Sequence, residues 1–232
     1  MDDDETLYPG ADTQVLQLRM RHGRYVNYNY IIADRATSRA VVVDPAWEMD
    51  RLVMAIDRRR WQPEAVLLTH SHPDHVHLCH QVANRFNCPI LMHEEEVAFA
   101  GFQSPRLQSF RDLETYHLGR TWVTPIHTPG HTPGSTCFLT SDVVVTGDTL
   151  FNEGCGVCHL HGGNPQAMFR TLRRLRTELP GRIRVLSGHS YGAPPGLPMS
   201  DVLRMNIYLM IEDPDRFVQF RMQSAKRKAI QW

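Results

Sequence analysis

The heptapeptide Thr-His-Ser-His-Pro-Asp-His places four potential metal ligands within six residues, directly after the apolar run at residues 65–68. In an extended segment, side chains two residues apart lie on the same side, so His70 and His72 can converge on one ion. Asp74 and His75 remain available for a second ion. The segment therefore predicts a metal site at the end of a strand.

Composition offers a simpler explanation, because a chain with 13 histidines has some histidine clusters by chance. A chance cluster, however, would not be matched by further ligands downstream. This chain has three more candidates in suitable settings: His131 in HTPGHTPGS, Asp148 in TGDT and His189 in SGHS. Their presence favours a metal site over a histidine-rich turn.

Four motifs, THSHPDH, GHTPGS, TGDTLF and SGH, in this order and at these intervals, resemble those of the metallo-β-lactamase superfamily over residues 28–189. The resemblance implies an α/β fold, the αββα four-layer sandwich with two sheets face to face and helices outside. It also implies how the ligands are divided: a first ion held by His70, His72 and His131, a second held by Asp74, His75 and His189, and a bridge formed by Asp148.

Imidazole and carboxylate ligands without thiolate suit two Zn²⁺ ions, although iron or manganese is also accepted. A hydroxide shared by two divalent ions exists near neutral pH, because the ions lower the pKa of bound water. The resemblance makes Asp74 the catalytic residue that orients this water. A structural zinc site would typically be closed, with four ligands and often cysteines, so the seven nitrogen and oxygen ligands favour catalysis.

The whole chain suits one sizeable domain, and we expect residues 1–232 to form it, with a short C-terminal helical extension from about residue 199. Its 25 basic and 25 acidic residues cancel, with a pI near 7.2, which gives no global field for nucleic acid or a membrane. Five cysteines and an N-terminus without an apolar run predict a soluble, cytoplasmic protein. The oligomeric state is left open.

Hydrophobic periodicity predicts elements that deliver each ligand at a strand end or in the loop beyond it. Strands are predicted at residues 13–20, 27–33, 40–43, 65–68, 89–92, 114–118, 121–126, 135–139, 143–146 and 183–186. Helices are predicted at residues 47–60, 75–86, from 94, 165–179 and 200–211, with another turn or two at 216–222. Residues 103–113 show no period and are predicted to be a surface loop.

The glycine-rich segment after Asp148 contains a C-x-x-C pair, Cys155 and Cys158. It lacks a βαβ context, and its Cys-Gly resembles the Gly-Cys-Gly turn that follows the bridging aspartate in thioesterase-type family members. We interpret it as loop architecture and not as a redox site. His159 and His161 follow this turn, and they are either hydrogen-bond donors in the pocket or exposed loop residues.

The chemistry of the leaving group restricts the class of substrate. A thiolate, from a thiol of pKa about 8.5, departs without an acid catalyst, whereas an amine or alkoxide usually needs one. We find no obvious proton donor, and the lysines occur only at 226 and 228, so none is available to hold a β-lactam carboxylate. Thioester hydrolysis fits best.

Three groups of relatives remain. Hydroxyacylglutathione hydrolases (glyoxalase II) share the histidine motif, and mononuclear-iron persulfide dioxygenases share the fold. The sequences FNEGCGVC, GGNP and MF at residues 151–169 more closely resemble acyl hydrolases encoded with trans-acyltransferase polyketide synthases. That resemblance implies an acyl carrier protein as partner and the release of acyl groups from stalled chains in antibiotic biosynthesis. A small acyl thioester remains possible as substrate, and a metal-stabilised binding module is the non-enzyme alternative.

An acyl carrier protein is an acidic helical bundle, so a hydrolase acting on it needs a basic rim. The predicted helix at residues 165–179 carries Arg170, Arg173 and Arg174 along one face. These side chains are candidates for carrier-protein docking. The alternative is an ordinary solvated face of an arginine-rich protein.

Overall fold

The computed structural model describes residues 4–229, with side chains to residue 223. Its strands, in chain order, are β1 Glu5–Pro9, β2 Thr13–His22, β3 Tyr25–Asp34, β4 Arg39–Val43, β5 Gln62–Leu67, β6 Ile90–His93, β7 Leu107–Phe110, β8 Tyr116–Leu118, β9 Thr121–His127, β10 Thr136–Leu139, β11 Val143–Gly147, β12 Leu150–Phe151, β13 Gly154–Cys155 and β14 Arg184–Ser187. Its helices are α1 Met49–Arg59, α2 Pro73–Val76, α3 Cys79–Phe86, α4 Glu94–Ala100, α5 Pro165–Glu178, α6 Met199–Met205, α7 Ile207–Met210 and α8 Pro214–Ala229.

Within the described residues, two large sheets form. The first has strands β1 to β7 in chain order, antiparallel up to β4 and parallel from β4 to β7. The second has the order β14-β11-β10-β9-β8, in which β14 pairs in parallel with β11. Each parallel strand is reached through a helical crossover, and this returns the chain to the same edge of the sheet, where the loops meet.

Side chains alternate between the two faces of each strand, and this alternation forms the layers of the sandwich. On β3, Tyr30 and Ile32 pack between the sheets, whereas Ile31 packs with the cluster that includes α1 and α3. On β11, Val145 faces the space between the sheets and Val144 packs against the α5 side. Because side chains of a strand alternate between faces, each sheet is apolar on both faces and must be covered on both. The αββα sandwich expected from the sequence is confirmed.

Four predicted elements were wrong in extent, three of them before α8. The predicted helix 75–86 is two helices, because the Leu78 backbone N–H donates to Pro45 O and leaves the helical ladder. The predicted loop 103–113 contains β7, an edge strand of which only Phe110 is buried, so it carries no clear period. The predicted helix 200–211 divides at Asn206, whose amide donates to the carbonyl oxygens of Phe151 and Gly154.

The C-terminal segment is more extensive than the turn or two predicted at residues 216–222, since α8 has 16 residues. Phe217 is fully buried and lies 5.4 Å from the ring of Phe169 on α5. Residues 1–3 and 230–232 of the predicted domain lie outside the described residues. Among residues 4–229, no helix is both long enough and apolar enough to cross a lipid bilayer.

Candidate metal centre

All seven ligands predicted from the sequence lie at one edge of the sandwich. In the first cluster, His72 Nδ1 lies 3.1 Å from His70 Nε2 and 2.9 Å from His131 Nε2. His70 and His72 follow β5, and His131 lies in the loop between β9 and β10. Three ring nitrogens at these distances share at most one proton, so their lone pairs converge as they would on a cation.

Hydrogen bonds of the opposite ring nitrogens fix the tautomers. His131 Nδ1 donates to Val157 O at 2.8 Å, and His189 Nδ1 donates to Val26 O at 2.8 Å. The Thr69 hydroxyl donates to Asp44, so it accepts from His70 Nδ1 at 3.0 Å. In each case Nε2 is left unprotonated and directed into the site, the arrangement found in histidine metal ligands.

The second cluster brings together Asp74, His75 and His189. His189 Nε2 lies 3.1 Å from Asp74 Oδ2, and His75 Nε2 lies 3.8 Å from the same oxygen. Asp148 lies between the two clusters: its Oδ2 is 3.8 Å from His131 Nε2 and 3.6 Å from His189 Nε2, and its Oδ1 is 3.4 Å from His75 Nε2. This position suits a carboxylate that contacts two ions.

Buried polar atoms without hydrogen-bond partners indicate that the two clusters are suited to bind metal ions. Among the described residues, three buried side-chain nitrogen or oxygen atoms lack a hydrogen-bond partner, and two of them are His75 Nε2 and Asp148 Oδ1. An unpaired buried polar atom is costly, so a native site normally satisfies it with an ion or water. The donors are imidazole nitrogens and carboxylate oxygens, which suit zinc, iron or manganese.

The environment shifts the pKa values of the candidate ligands in different directions. Burial raises the pKa of Asp148, but the nearby His189 and His75 outweigh it and hold that pKa well below its usual range. Burial also lowers the pKa of His70 well below its ordinary value, and neighbouring histidines lower it further. Ionised Asp148 and neutral His70 have the protonation states that a metal ligand needs. Burial also lowers the pKa of His75 and His189, but neighbouring carboxylates outweigh it and raise both pKa values, so an ion bound by these two histidines would displace a proton.

Three buried side chains that support the ligands were missed by the sequence analysis. Asp44 accepts from His75 Nδ1 at 2.9 Å and from the Thr69 backbone and hydroxyl. Asn27 donates to Asp74 Oδ2 at 3.1 Å and to its backbone oxygen at 2.9 Å. No motif marks these residues, because single polar side chains on strands and in turns are common.

Glu96 is the third. It is fully buried, and its carboxylate accepts from the Ser71 backbone N–H at 2.8 Å and from the Gly134 N–H at 2.9 Å. It therefore joins the loop of His70 and His72 to the loop of His131. A Cβ on Gly134 would lie 2.1 Å from Glu96 N, so only glycine allows this approach.

A further group of possible ligand atoms, Asp44 with His70 and His75, lies within the same cluster. Both oxygens of Asp44 already accept hydrogen bonds, and the His75 Nδ1 that faces it is a donor. We therefore interpret Asp44 as the residue that orients His75.

The two remaining histidine candidates occupy different places. His159 lines a cavity of about 250 Å³ together with Asp148 and Tyr191. His161 stacks on Phe99 with ring centroids 5.0 Å apart. His159 thus shares a cavity with the candidate ligand Asp148, whereas His161 packs against α4.

The three candidate docking arginines lie on α5. Arg170 and Arg173 are exposed, and Arg173 lies 4.0 Å from Glu212. Arg174 pairs with Asp112 at 3.1 Å and with Glu178 at 3.0 Å. The charge of Arg174 is therefore largely neutralised by ion pairs within the chain.

Comparison with known proteins agrees with this geometry. The model of the metallo-beta-lactamase superfamily matches residues 23–189. BaeB of Bacillus velezensis, a probable polyketide biosynthesis zinc-dependent hydrolase, is 40% identical over 90% of this chain and 92% of its own. PksB of Bacillus subtilis, which has the same description, is 36% identical over 92% and 95%. The crystal structure of ETHE1 from Myxococcus xanthus superimposes with a TM-score of 0.79 and 25% identity over 89% of each chain. The chain belongs to the metallo-β-lactamase superfamily.

Proposed function

We propose that this protein is a zinc-dependent hydrolase of polyketide biosynthesis that cleaves acyl thioesters and releases acyl groups from acyl carrier proteins. The observation that carries the proposal is the convergence of His70, His72 and His131 beside Asp74, His75 and His189, with Asp148 between them. The similarity to BaeB and PksB over nearly the whole chain supports the biosynthetic setting.

Two Zn²⁺ ions at this centre would supply a Lewis acid for the carbonyl and a water acidic enough to give a nucleophile near neutral pH. Asp74 would orient that water, since its carboxylate is held by Asn27 and lies beside His189. Asp148 and the five candidate histidines would hold the ions.

A thioester is the favoured substrate because its cleavage requires no acid catalyst. Water adds to the carbonyl carbon, the C–S bond breaks, and the products are a carboxylic acid and a thiol. The thiolate leaves without protonation because its parent thiol has a pKa of about 8.5. The cavity beside Asp148 is lined by Phe151, Tyr191 and Tyr208, and these aromatic side chains suit a small acyl group.

A substrate panel tests this proposal. The zinc-loaded protein is incubated with an acyl carrier protein bearing a short acyl thioester, the same acyl group on coenzyme A, a hydroxyacylglutathione and the matching oxygen ester. We expect the carrier-protein thioester to have the highest kcat/KM. Preference for the glutathione thioester would favour the glyoxalase II alternative, and no turnover of any thioester would favour a binding module.

Docking of the carrier protein on α5 is a further part of the proposal. Of the three arginines, Arg170 has no ion pair among the described residues, and Arg173 has a long one. Replacing both by glutamate should weaken turnover of carrier-protein substrates, more at low salt, and leave small thioesters unchanged. An equal loss of turnover on both substrates, or no loss on either, would show that α5 is not part of the docking surface.

A further inference from the structure

Two cavities border the candidate metal centre, each lined by one candidate ligand. A groove of about 620 Å³ is lined by His189 and by residues of β1 to β3. The smaller cavity of about 250 Å³ is lined by Asp148 and by residues of the loop after β11. Tyr191 lines both. A substrate whose reacting bond lies at the centre can therefore extend one part into each cavity.

The walls of the two cavities differ in chemistry. Beside Val26, Tyr28 and Pro194, the larger groove presents hydrogen-bonding and charged side chains: Asp4, Thr6, Gln17, Arg19, Arg24 and Ser190. The smaller cavity presents the apolar and aromatic side chains of Phe151, Val157, Tyr191 and Tyr208, and its wall also contains Glu153, His159 and Arg221. A thioester that joins an acyl group to a polar, amide-containing arm would place its acyl group in the smaller cavity and its arm in the groove. The groove has the size typical of sites for small molecules.

The groove also carries positive charge. Arg19 is paired with Asp4 at 3.2 Å, so this pair contributes little net charge. Arg24 is exposed and forms no ion pair with the described residues; its guanidinium lies over the Tyr25 ring, 5.6 Å from the centroid. A planar guanidinium with free N–H groups is a preferred partner for phosphate.

We propose that this groove binds the phosphopantetheine arm of the thioester and that Arg24 binds its phosphate. The proposal rests on the proposed thioesterase function and names the part of the substrate that the groove recognises. Phosphopantetheine occurs on carrier proteins and in coenzyme A, and in both its phosphate follows the same arm. Arg24 is thus a residue that determines specificity for phosphate-bearing thioesters.

The test uses two substrates that differ only in the phosphate, acyl-phosphopantetheine and acyl-pantetheine. Arg24→Ala should raise KM for the first by about tenfold, the effect of losing one charge-assisted hydrogen bond, and leave KM for the second unchanged. Arg85→Ala is the matched control, because Arg85 is also exposed and lies 5.5 Å from the centroid of the following aromatic ring, Phe86, but does not line the groove. It should change neither value.

Binding is measured separately with a non-hydrolysable thioether of phosphopantetheine, and Arg24→Ala should raise its Kd by a similar factor. Unchanged KM and Kd, or an equal rise for both substrates, would overturn the assignment. Failure of the wild-type protein to hydrolyse any thioester would instead overturn the proposed function, so the two failures are distinguishable. Acyl carrier protein and acyl-coenzyme A, compared in the same assay, identify the source of the arm, and the effect of Arg24→Ala should occur with both.

Discussion

At the residue scale, the candidate histidine ligands are oriented before any ion binds. Backbone oxygens hold His131 and His189, and Asp44 holds His75, each through Nδ1. Such partners commonly affect metal affinity or activity by 10- to 100-fold. The convergence of the candidate ligands could be predicted from the sequence because they occur in compact motifs. Their partners could not, because Asp44 and Asn27 reach the site only through the folding of distant segments.

Asp148 lies close to ligand atoms of both clusters, so replacing it should affect both ions. Asp148→Ala is expected to lower zinc content at both positions and to reduce turnover by more than about 100-fold, beyond the loss expected for an outer partner. Asp142→Ala is the control, because Asp142 precedes β11 at its other end and bonds to Ser141. Metal content by elemental analysis and thiol release provide the measurement. Full metal and activity in Asp148→Ala would refute the bridging role.

Asn27 positions Asp74, and its own amide is held by the indole N–H of Trp47, which donates to Asn27 Oδ1 at 2.8 Å. Asn27→Leu should lower kcat by about 10- to 100-fold, because Asp74 loses the two hydrogen bonds that Asn27 donates to it. Thr13→Val removes a buried hydrogen bond to Thr121 away from the site and serves as the stability control. If the two variants lose stability equally and neither loses kcat, Asn27 is structural only.

At the element scale, α4 joins the two ligand loops. Its first turn carries Glu96, whose two carboxylate oxygens accept from Ser71 and Gly134 on separate loops. The prediction of a helix from residue 94 is confirmed, since it begins at Glu94 after His93, whose Nδ1 accepts from the Glu95 N–H. The role of Glu96 could not be predicted from the sequence, because no pattern distinguishes one buried glutamate among three adjacent glutamates.

Glu96→Ala should lower the free energy of unfolding by about 3 kcal/mol, since the buried Gly134 N–H and the half-buried Ser71 N–H lose their acceptor. It should also weaken zinc binding, because the loops of His72 and His131 are no longer joined. Glu95→Ala removes an exposed neighbour in the same helix and should change stability by about 0.5 kcal/mol or less. Urea denaturation and zinc titration of both variants test this. Equal behaviour of the two would show that the loops do not depend on Glu96.

At the scale of the whole molecule, the two sheets set the position of the site and the C-terminal helices support it. Arg221 on α8 donates to Gly156 O at 3.0 Å, and the neighbouring Val157 O accepts from His131. The layered fold could be predicted from strand and helix patterns. The edge strand β7 and the length of α8 could not, because β7 is mostly exposed and α8 has apolar residues on only part of its length.

Packing of α8 is tested with two phenylalanines of the same helix. Phe217 is fully buried, so Phe217→Ala should lower the free energy of unfolding by about 3 to 5 kcal/mol. Phe220 is 38% exposed, and its replacement should cost much less. Thermal and urea denaturation give both values. Similar, small losses would mean that α8 contributes little to the stability of the sandwich.

The central claim is that a zinc centre in this chain cleaves a carrier-protein thioester. The most direct measurement titrates zinc into metal-free protein and records thiol release from an acyl carrier protein against the number of ions bound per chain. We predict that activity rises with zinc and is maximal at two ions. Absence of thiol release at every zinc level, with one bound iron and oxygen uptake on glutathione persulfide instead, would contradict the account and indicate a persulfide dioxygenase.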